Sequence, residues 1–175
     1  MAEQASLALR AVPDLESSPS LLFSERDERA LIGAEIEALP ATREQIMAAY
    51  QPDDLLDPRC GFADGIVRRM VAAGVPVDRL SVTQFAVSRG LIKPDSPRIA
   101  LASWIDQTCE MAPVPASGSW YAAVVVEQSV RRQLKAIGER LVQAAQGGSA
   151  LDLAAVVSEA FTAALAAVSR LGDSR

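Results

Sequence analysis

The chain has 175 residues, of which 50% are hydrophobic and 5% aromatic, and its formal net charge is −5. This length suits one compact domain, and the scarcity of aromatic residues favours packed helices over sheets. The acidic balance argues against direct nucleic-acid binding, which depends on clustered Lys and Arg.

Several classes of protein are excluded by residues that the sequence lacks. There is no His, which removes Ser-His-Asp and Cys-His catalysis and every His-containing metal site. Neither the phosphate loop of nucleotide-hydrolysing enzymes nor the Gly-rich dinucleotide fingerprint occurs. There is also no signal peptide and no membrane-length apolar run. We therefore expect a cytoplasmic protein without catalytic, cofactor or metal sites.

The pattern of apolar residues, Pro and Gly predicts an all-α chain in four segments. Residues 1–23 mix Ser, Pro and charge and are expected to be a flexible tail. Residues 24–118 contain five short helical patterns, which predict a globule. Residues 119–171 predict a long antiparallel helical hairpin of the same domain, and residues 172–175 a short tail.

Local signals predict the ends of the globule's helices. The expected starts are side-chain caps or a Pro in the first turn: Ser24 with Asp27, Thr42 with Gln45, Pro58, Ser81 with Gln84, and Ser96 with Pro97. Pro40 is expected to end the first helix. Gly74 and Gly90 are expected to end the third and the fourth, because Gly readily adopts the left-handed backbone that follows a helix.

The longest pattern is a helix from Trp120 to Gln146, which lacks Pro and would extend about 40 Å at ~1.5 Å per residue. Its apolar residues recur in steps of three and four: Val126, Val130, Leu134, Ile137, Leu141 and Ala144. The opposite side is charged: Glu127, Arg131, Arg132, Lys135, Glu139 and Arg140. This side is either a solvated face with weak internal ion pairs or a docking face for an acidic partner or a DNA backbone.

The last helix is expected to begin at a cap formed by Ser149 and Asp152 and to end near Leu171. Between Leu153 and Ser169 its only charged residue is Glu159, whereas a helix that packs on one neighbour keeps a broad polar face. We therefore expect burial on two sides, against the preceding helix and against a second subunit, rather than an Ala-rich helix with an exposed back. The predicted subunit interface consists of Leu153, Val157, Ala160, Phe161, Ala164, Leu165 and Val168.

Other conspicuous residues have a structural interpretation that we favour over a functional one. The aspartates of the turn, Asp53, Asp54 and Asp57, lack the Gly and distal Glu of a calcium loop, so turn and cap roles are expected. Trp104 is expected in the core, and Trp120 could staple the hairpin to the globule, although both could stack on bases. Two arginines, Arg68 and Arg69, are expected to be solvated. The two cysteines, Cys60 and Cys109, are expected to be buried thiols.

Five segments in this order resemble the N-terminal domain of DnaB-type replicative DNA helicases. They are the helix ERALIGAEI (Glu28 to Ile36), the turn PDDLLDPR (Pro52 to Arg59), the connector GVPVD (Gly74 to Asp78), the helix end RGLI (Arg89 to Ile92) and YAAVVVEQSVRRQL (Tyr121 to Leu134). The last is most similar to the family pattern Y-A-x-I-V-x-E-x-x-x-R-R-x-L. The resemblance covers roughly residues 25 to 171.

The resemblance implies an all-helical, non-enzymatic module whose terminal helix pair associates with that of a second subunit. In the family, three such dimers form a collar above the motor ring, where primase docks and loaders act. We therefore expect a homo-oligomer, a dimer through the hairpin or a trimer of dimers. The expected partners are primase, a helicase loader or a full-length helicase, as part of the primosome.

The sequence departs from the family pattern in three ways, so roles other than that of a helicase domain stay open. The sequence lacks the RecA-like motor, so it cannot unwind DNA by itself. It has Val126 where the family often has Arg, and Arg59-Cys60-Gly61-Phe62 where the family often has His and Arg before an aromatic residue. It is either a domain of a longer helicase or, as we favour, a stand-alone relative that regulates or assembles with one. The alternatives are a stand-alone helical dimer with an unrelated regulatory role and a small enzyme that uses carboxylates.

Overall fold

The computed structural model describes residues 23–93, 96–112, 114–147 and 150–173, with the backbone alone at 23, 24, 96, 150–153 and 171–173. These ranges contain seven α-helices: α1 (Phe23–Glu37), α2 (Pro40–Ala48), α3 (Pro58–Ala72), α4 (Arg79–Ser88), α5 (Ser96–Met111), α6 (Gly118–Gly147) and α7 (Ala150–Asp173). Short 3₁₀ turns at Pro52–Asp54 and Pro115–Ser117 precede α3 and α6. No strand occurs in the described ranges, so the predicted all-α fold is confirmed.

Helix α1 lies at the centre of the globule, where it packs against α2, α3, α5 and α6. Its residues Leu31, Ile32 and Ile36 are buried in the main core. Gly33 allows the approach of α5, because a Cβ at this position would lie 2.5 Å from the carbonyl oxygen of Thr108. Close packing of α1 against α5 therefore requires glycine at position 33, in addition to the apolar side chains of the core.

The predicted helix ends are correct where Pro or Gly determines the backbone. Pro58 is in the first turn of α3, and the preceding Asp57 accepts the N–H of Arg59. Gly74 and Gly90 follow α3 and α4 with φ of 65° and 67°, the left-handed conformation that favours Gly.

Two of the predicted caps are wrong. Helix α2 begins at Pro40 without a side-chain cap, two residues before Thr42, because the fixed φ of Pro suits the first helical position. Helix α4 is capped by Asp78, which exchanges hydrogen bonds with Ser81, and Gln84 has no part in the cap. The predicted caps at Ser24 and Ser96, and the one formed by Ser149 and Asp152, involve side chains outside the described residues.

The hairpin consists of α6, which has 30 residues, and the antiparallel α7. The N-terminal half of α6 belongs to the globule, and its buried residues are Gly118, Ala122, Val125, Val126, Ser129 and Val130. After Val130, no residue of α6 is buried. The part of α6 beyond Val130 therefore lies outside the core of the globule.

Candidate functional site

The side of α7 that faces away from α6 carries large apolar side chains. Val157, Phe161, Leu165 and Val168 are 48%, 66%, 57% and 49% exposed. Their spacing of four, four and three residues places them on one side of the helix. We call these four residues the outer face of α7.

The other predicted interface residues do not belong to the outer face. Ala160 is 9% exposed and is buried within the protomer, so its predicted place in a subunit interface stays a prediction. Ala164 is half-buried, and the side chain of Leu153 lies outside the described residues. Small side chains face inwards because they allow two helices to approach closely.

The outer face is free of charge among the side chains of α7 that the structure describes. Its neighbour Glu159 pairs with Arg140 of α6 at 3.4 Å. Arg170 is directed to the globule, where it pairs with Asp54 at 2.5 Å. A second apolar surface could therefore cover the outer face without desolvating a charge.

The predicted charged face of α6 is mostly a set of exposed ion pairs. Arg131 pairs with Glu127 at 2.5 Å, and Lys135 lies 3.9 Å from Glu139. Exposed pairs of this kind contribute about 0.3–0.5 kcal/mol each. This geometry favours the interpretation as a solvated face, and a docking role stays a prediction.

Arg132 differs from the other charged residues of α6. It is half-buried, and its guanidinium donates to the carbonyl oxygen of Asp54 at 2.5 Å. It therefore joins the hairpin to the globule, and its predicted role in partner docking stays a prediction.

The residues Pro52–Asp57, which we call the acidic turn, are held by buried carboxylates. Asp54 is fully buried, and its Oδ2 accepts the N–H of Gln51 at 2.8 Å. Glu28 of α1 accepts the N–H groups of Leu56 and Asp57 at 2.9 and 2.8 Å. Burial raises the pKa of Glu28, and these two backbone hydrogen bonds oppose the shift. The predicted turn and cap roles of Asp54 and Asp57 are confirmed.

A buried acid cluster that the sequence analysis missed lies between α1 and α3. It consists of Glu35, Tyr50, Asp64 and Arg68, and the first three are at most 1% exposed. The Tyr50 hydroxyl is in hydrogen-bond contact with Glu35 Oε2 and lies 2.7 Å from Asp64 Oδ1. Asp64 also accepts from Arg68 Nε at 2.7 Å.

The acid cluster requires a proton in addition to the phenolic one. A hydroxyl has one hydrogen and cannot donate to two carboxylates at once. Asp64 faces Arg68, so we assign the additional proton to Glu35, which donates it to Tyr50. Desolvation and the nearby Asp64 carboxylate raise the pKa of Glu35 to about 8, in agreement with a neutral Glu35.

The prediction that Arg68 is solvated is wrong. Besides its ion pair with Asp64, its guanidinium carbon lies 4.9 Å from the centroid of the Tyr50 ring. One signal could have revealed this contact: Asp64 lies among the apolar positions of α3, four residues before Arg68. A carboxylate on an apolar helix face usually needs a cation or a hydrogen-bond donor.

The two tryptophans lie in different environments. Trp104 is 5% exposed and belongs to the core, as predicted. Trp120 is 62% exposed and packs edge-on against Tyr121 with a centroid distance of 4.9 Å. The interpretation of Trp120 as a staple between hairpin and globule is therefore wrong.

The two thiols are buried, as predicted. Cys60 and Cys109 are both free. Burial raises the pKa of Cys60, and it raises that of Cys109 to about 12. Both side chains are thus protonated at neutral pH and act as small apolar groups.

The described residues lack the arrangements that a metal site or a membrane span requires. Among them, no group of three or more His, Cys, Asp or Glu side chains is placed to hold a metal ion. No described helix is long and apolar enough to cross a bilayer. A cleft of about 290 Å³ is lined by Arg26, Asp27, Ala30, Met111 and Tyr121.

Comparison with known proteins shows the fold. No protein-family model matches the sequence, and the comparison with curated proteins finds no match. Among solved structures, the fold is similar to the N-terminal domain of DnaB helicase from Mycobacterium tuberculosis, with a TM-score of 0.67 and 24% sequence identity. The similarity covers 81% of this chain and 95% of that chain. The chain therefore contains an all-α domain with the fold of the DnaB helicase N-terminal domain.

Proposed function

We propose that this protein is a non-enzymatic oligomerisation and interaction module that assembles through the outer face of α7. The observation that carries this proposal is the uncharged apolar stripe, with Phe161 66% exposed at its centre. Contiguous exposed apolar surface on a domain marks an interaction site.

A second copy of the chain is the occupant that this surface fits best. A twofold interface pairs one patch with the same patch of a second subunit, which requires a self-complementary surface. The outer face meets this requirement because apolar side chains can pack on their own kind without unpaired charges. Phe161 is the expected anchor, since large aromatic side chains dominate the energetics of interfaces.

A substitution that introduces a charge at the centre of the outer face tests whether this surface forms the dimer. We expect the protein to be a dimer or a trimer of dimers at high micromolar concentration, and Phe161→Glu to be a monomer of unchanged helicity. Light scattering coupled to gel filtration measures the mass. Leu80→Glu is the matched control, because Leu80 is an exposed apolar residue of α4 outside the proposed interface. A monomeric unaltered protein would contradict the proposal, and an unchanged mass of Phe161→Glu would move the interface elsewhere.

We further propose a role in DNA replication, in which the module contacts primase, a helicase loader or a full-length helicase. The fold and the ordered sequence segments support this role. Binding of the purified protein to each of these three partners is the test. Binding to at least one is expected, whereas a dimer that binds none of them would favour a regulatory role outside replication.

A further inference from the structure

We propose that the acidic turn is a clasp that holds both arms of the hairpin to the globule. Arg132 of α6 donates to the Asp54 carbonyl oxygen, and Arg170 of α7 pairs with the Asp54 carboxylate, each at 2.5 Å. The two arginines lie 78 and 116 residues from Asp54 in sequence. One buried residue thus connects three distant parts of the chain.

The clasp has a fixed side. The acidic turn is bound to α1 through Glu28, which accepts the N–H groups of Leu56 and Asp57. It is bound to α3 through Arg59, which pairs with Asp57 at 2.9 Å. Arg170 takes no part in these contacts, so we expect the turn to keep its shape when Arg170 alone is altered.

The other side of the clasp is the hairpin, of which one arm can move away from the turn. The N-terminal half of α6 is buried in the globule, so its separation would expose part of the core. α7 packs along α6 and meets the globule near its C-terminal end, where Ala167 joins the main core and Arg170 reaches Asp54. The C-terminal part of α7 is therefore the segment whose position depends on the clasp.

The burial of Asp54 makes the loss of its partner Arg170 costly for the packing of α7. Asp54 is fully buried, whereas the side chain of Arg170 is 33% exposed. Loss of the arginine leaves a carboxylate inside the protein without its cation, which is more costly than loss of an exposed pair. The expected response is local: the end of α7 moves away from the turn and admits water to Asp54.

This inference deepens the proposed function, because the outer face lies on the helix that the clasp positions. Releasing the end of α7 alters the presentation of Leu165 and Val168, which are within one and a half turns of Arg170. This consequence for assembly rests on the proposed dimer. The existence of the clasp does not, and it can be tested in a monomer.

The test is amide hydrogen exchange of Arg170→Gln in the background of Phe161→Glu, which removes the proposed dimer contact. We expect exchange in residues 160–173 to accelerate about tenfold or more, while α1 to α5 keep their protection. Arg140→Gln is the control, because Arg140 pairs with Glu159 in the same hairpin but both side chains are at least 60% exposed. The control is expected to change exchange in α7 by less than about twofold.

Equal exchange of α7 in the Arg170→Gln and Arg140→Gln proteins would overturn the clasp. If Arg170→Gln fails to fold, Asp54→Asn replaces it, since it removes the carboxylate that pairs with Arg170 but keeps the shape of the side chain and the backbone carbonyl. That variant is expected to accelerate exchange in residues 160–173 alone, and unaltered exchange there would equally overturn the proposal. The mass of the proteins with native Phe161 is measured separately, so absence of the dimer and absence of the clasp are distinguishable.

Discussion

At the residue scale, the acid cluster is the feature that sequence reasoning could least anticipate. Glu35, Tyr50 and Asp64 occur on different elements, and no local pattern indicates that one hydroxyl lies between two carboxylates. The same holds for Asp54 and Arg170, which are 116 residues apart. Buried polar contacts depend on how the helices pack, whereas a sequence pattern reports on neighbours along one helix.

The shared proton of the acid cluster predicts a pH dependence of stability. The pKa of Glu35 is raised to about 8 from 4.5, so the folded state binds a proton that the unfolded state releases between these values. The stabilisation is complete below about pH 4.5 and is lost as pH rises through about 8. Burial also raises the pKa values of Asp64 and Glu28, which contribute with the same sign.

Replacing Glu35 with Gln is expected to reduce this dependence. Gln keeps the shape of the protonated acid but does not titrate, so the free energy of unfolding of the variant should vary less between pH 5 and 8, with the contributions of Asp64 and Glu28 remaining. In the unaltered protein the free energy should fall over this range, by at most about 1.4 kcal/mol per pH unit for one group. Urea unfolding at several pH values measures the slope. Glu37→Gln, at the exposed end of the same helix, should retain it, and an unchanged slope in Glu35→Gln would refute the assignment of the proton.

At the element scale, the helices and their order could be predicted, but some of the caps could not. Helical periodicity, Pro and Gly act within a few residues, so α3, α4 and the hairpin follow from local sequence. Asp78 and Ser81 both satisfy the local rules for a cap. The structure has Asp78 as the cap, directly after Val77, whose carbonyl oxygen accepts from Arg43 of α2 at 3.2 Å. A contact between residues 34 positions apart is not visible to a local sequence rule.

The Asp78 cap predicts how substitutions of Asp78 change the free energy of unfolding. Its carboxylate accepts the N–H groups of Leu80 and Ser81 at 2.9 and 2.8 Å. Asp78→Ala is expected to lower the free energy of unfolding by about 1 kcal/mol, and Asp78→Asn to restore most of it, because Asn is also a good cap. Chemical denaturation measures both. If Ser81 were the cap, as the sequence suggested, Asp78→Ala would be nearly neutral.

At the scale of the whole molecule, the hairpin exposes what a single domain would normally bury. α7 directs Ala160 and Ala167 inwards and Phe161 and Leu165 outwards. A second protein surface packed on the outer face would bury these exposed apolar side chains. Complete burial of a Val, Leu or Phe side chain contributes roughly 1.5–3 kcal/mol relative to its exposure.

The size of the outer face sets the expected strength of assembly. A twofold dimer would cover two copies of four side chains that are already partly shielded, which is on the order of 10 kcal/mol. Association costs about 4–15 kcal/mol in lost freedom of motion. These terms are comparable, so the dimer is expected to depend on concentration rather than to be permanent.

Thermal stability should consequently depend on protein concentration. Association stabilises the folded state by mass action, and for a chain of this length 1 kcal/mol corresponds to about 2–4 °C in melting temperature. A hundredfold increase in concentration is expected to raise the melting temperature of the unaltered protein by several degrees. Phe161→Glu should melt at the same temperature throughout, whereas Leu80→Glu should follow the unaltered protein. Scanning calorimetry over the accessible concentrations makes the comparison. A melting temperature independent of concentration, together with a monomeric mass, would contradict assembly of the outer face with a second copy of this chain.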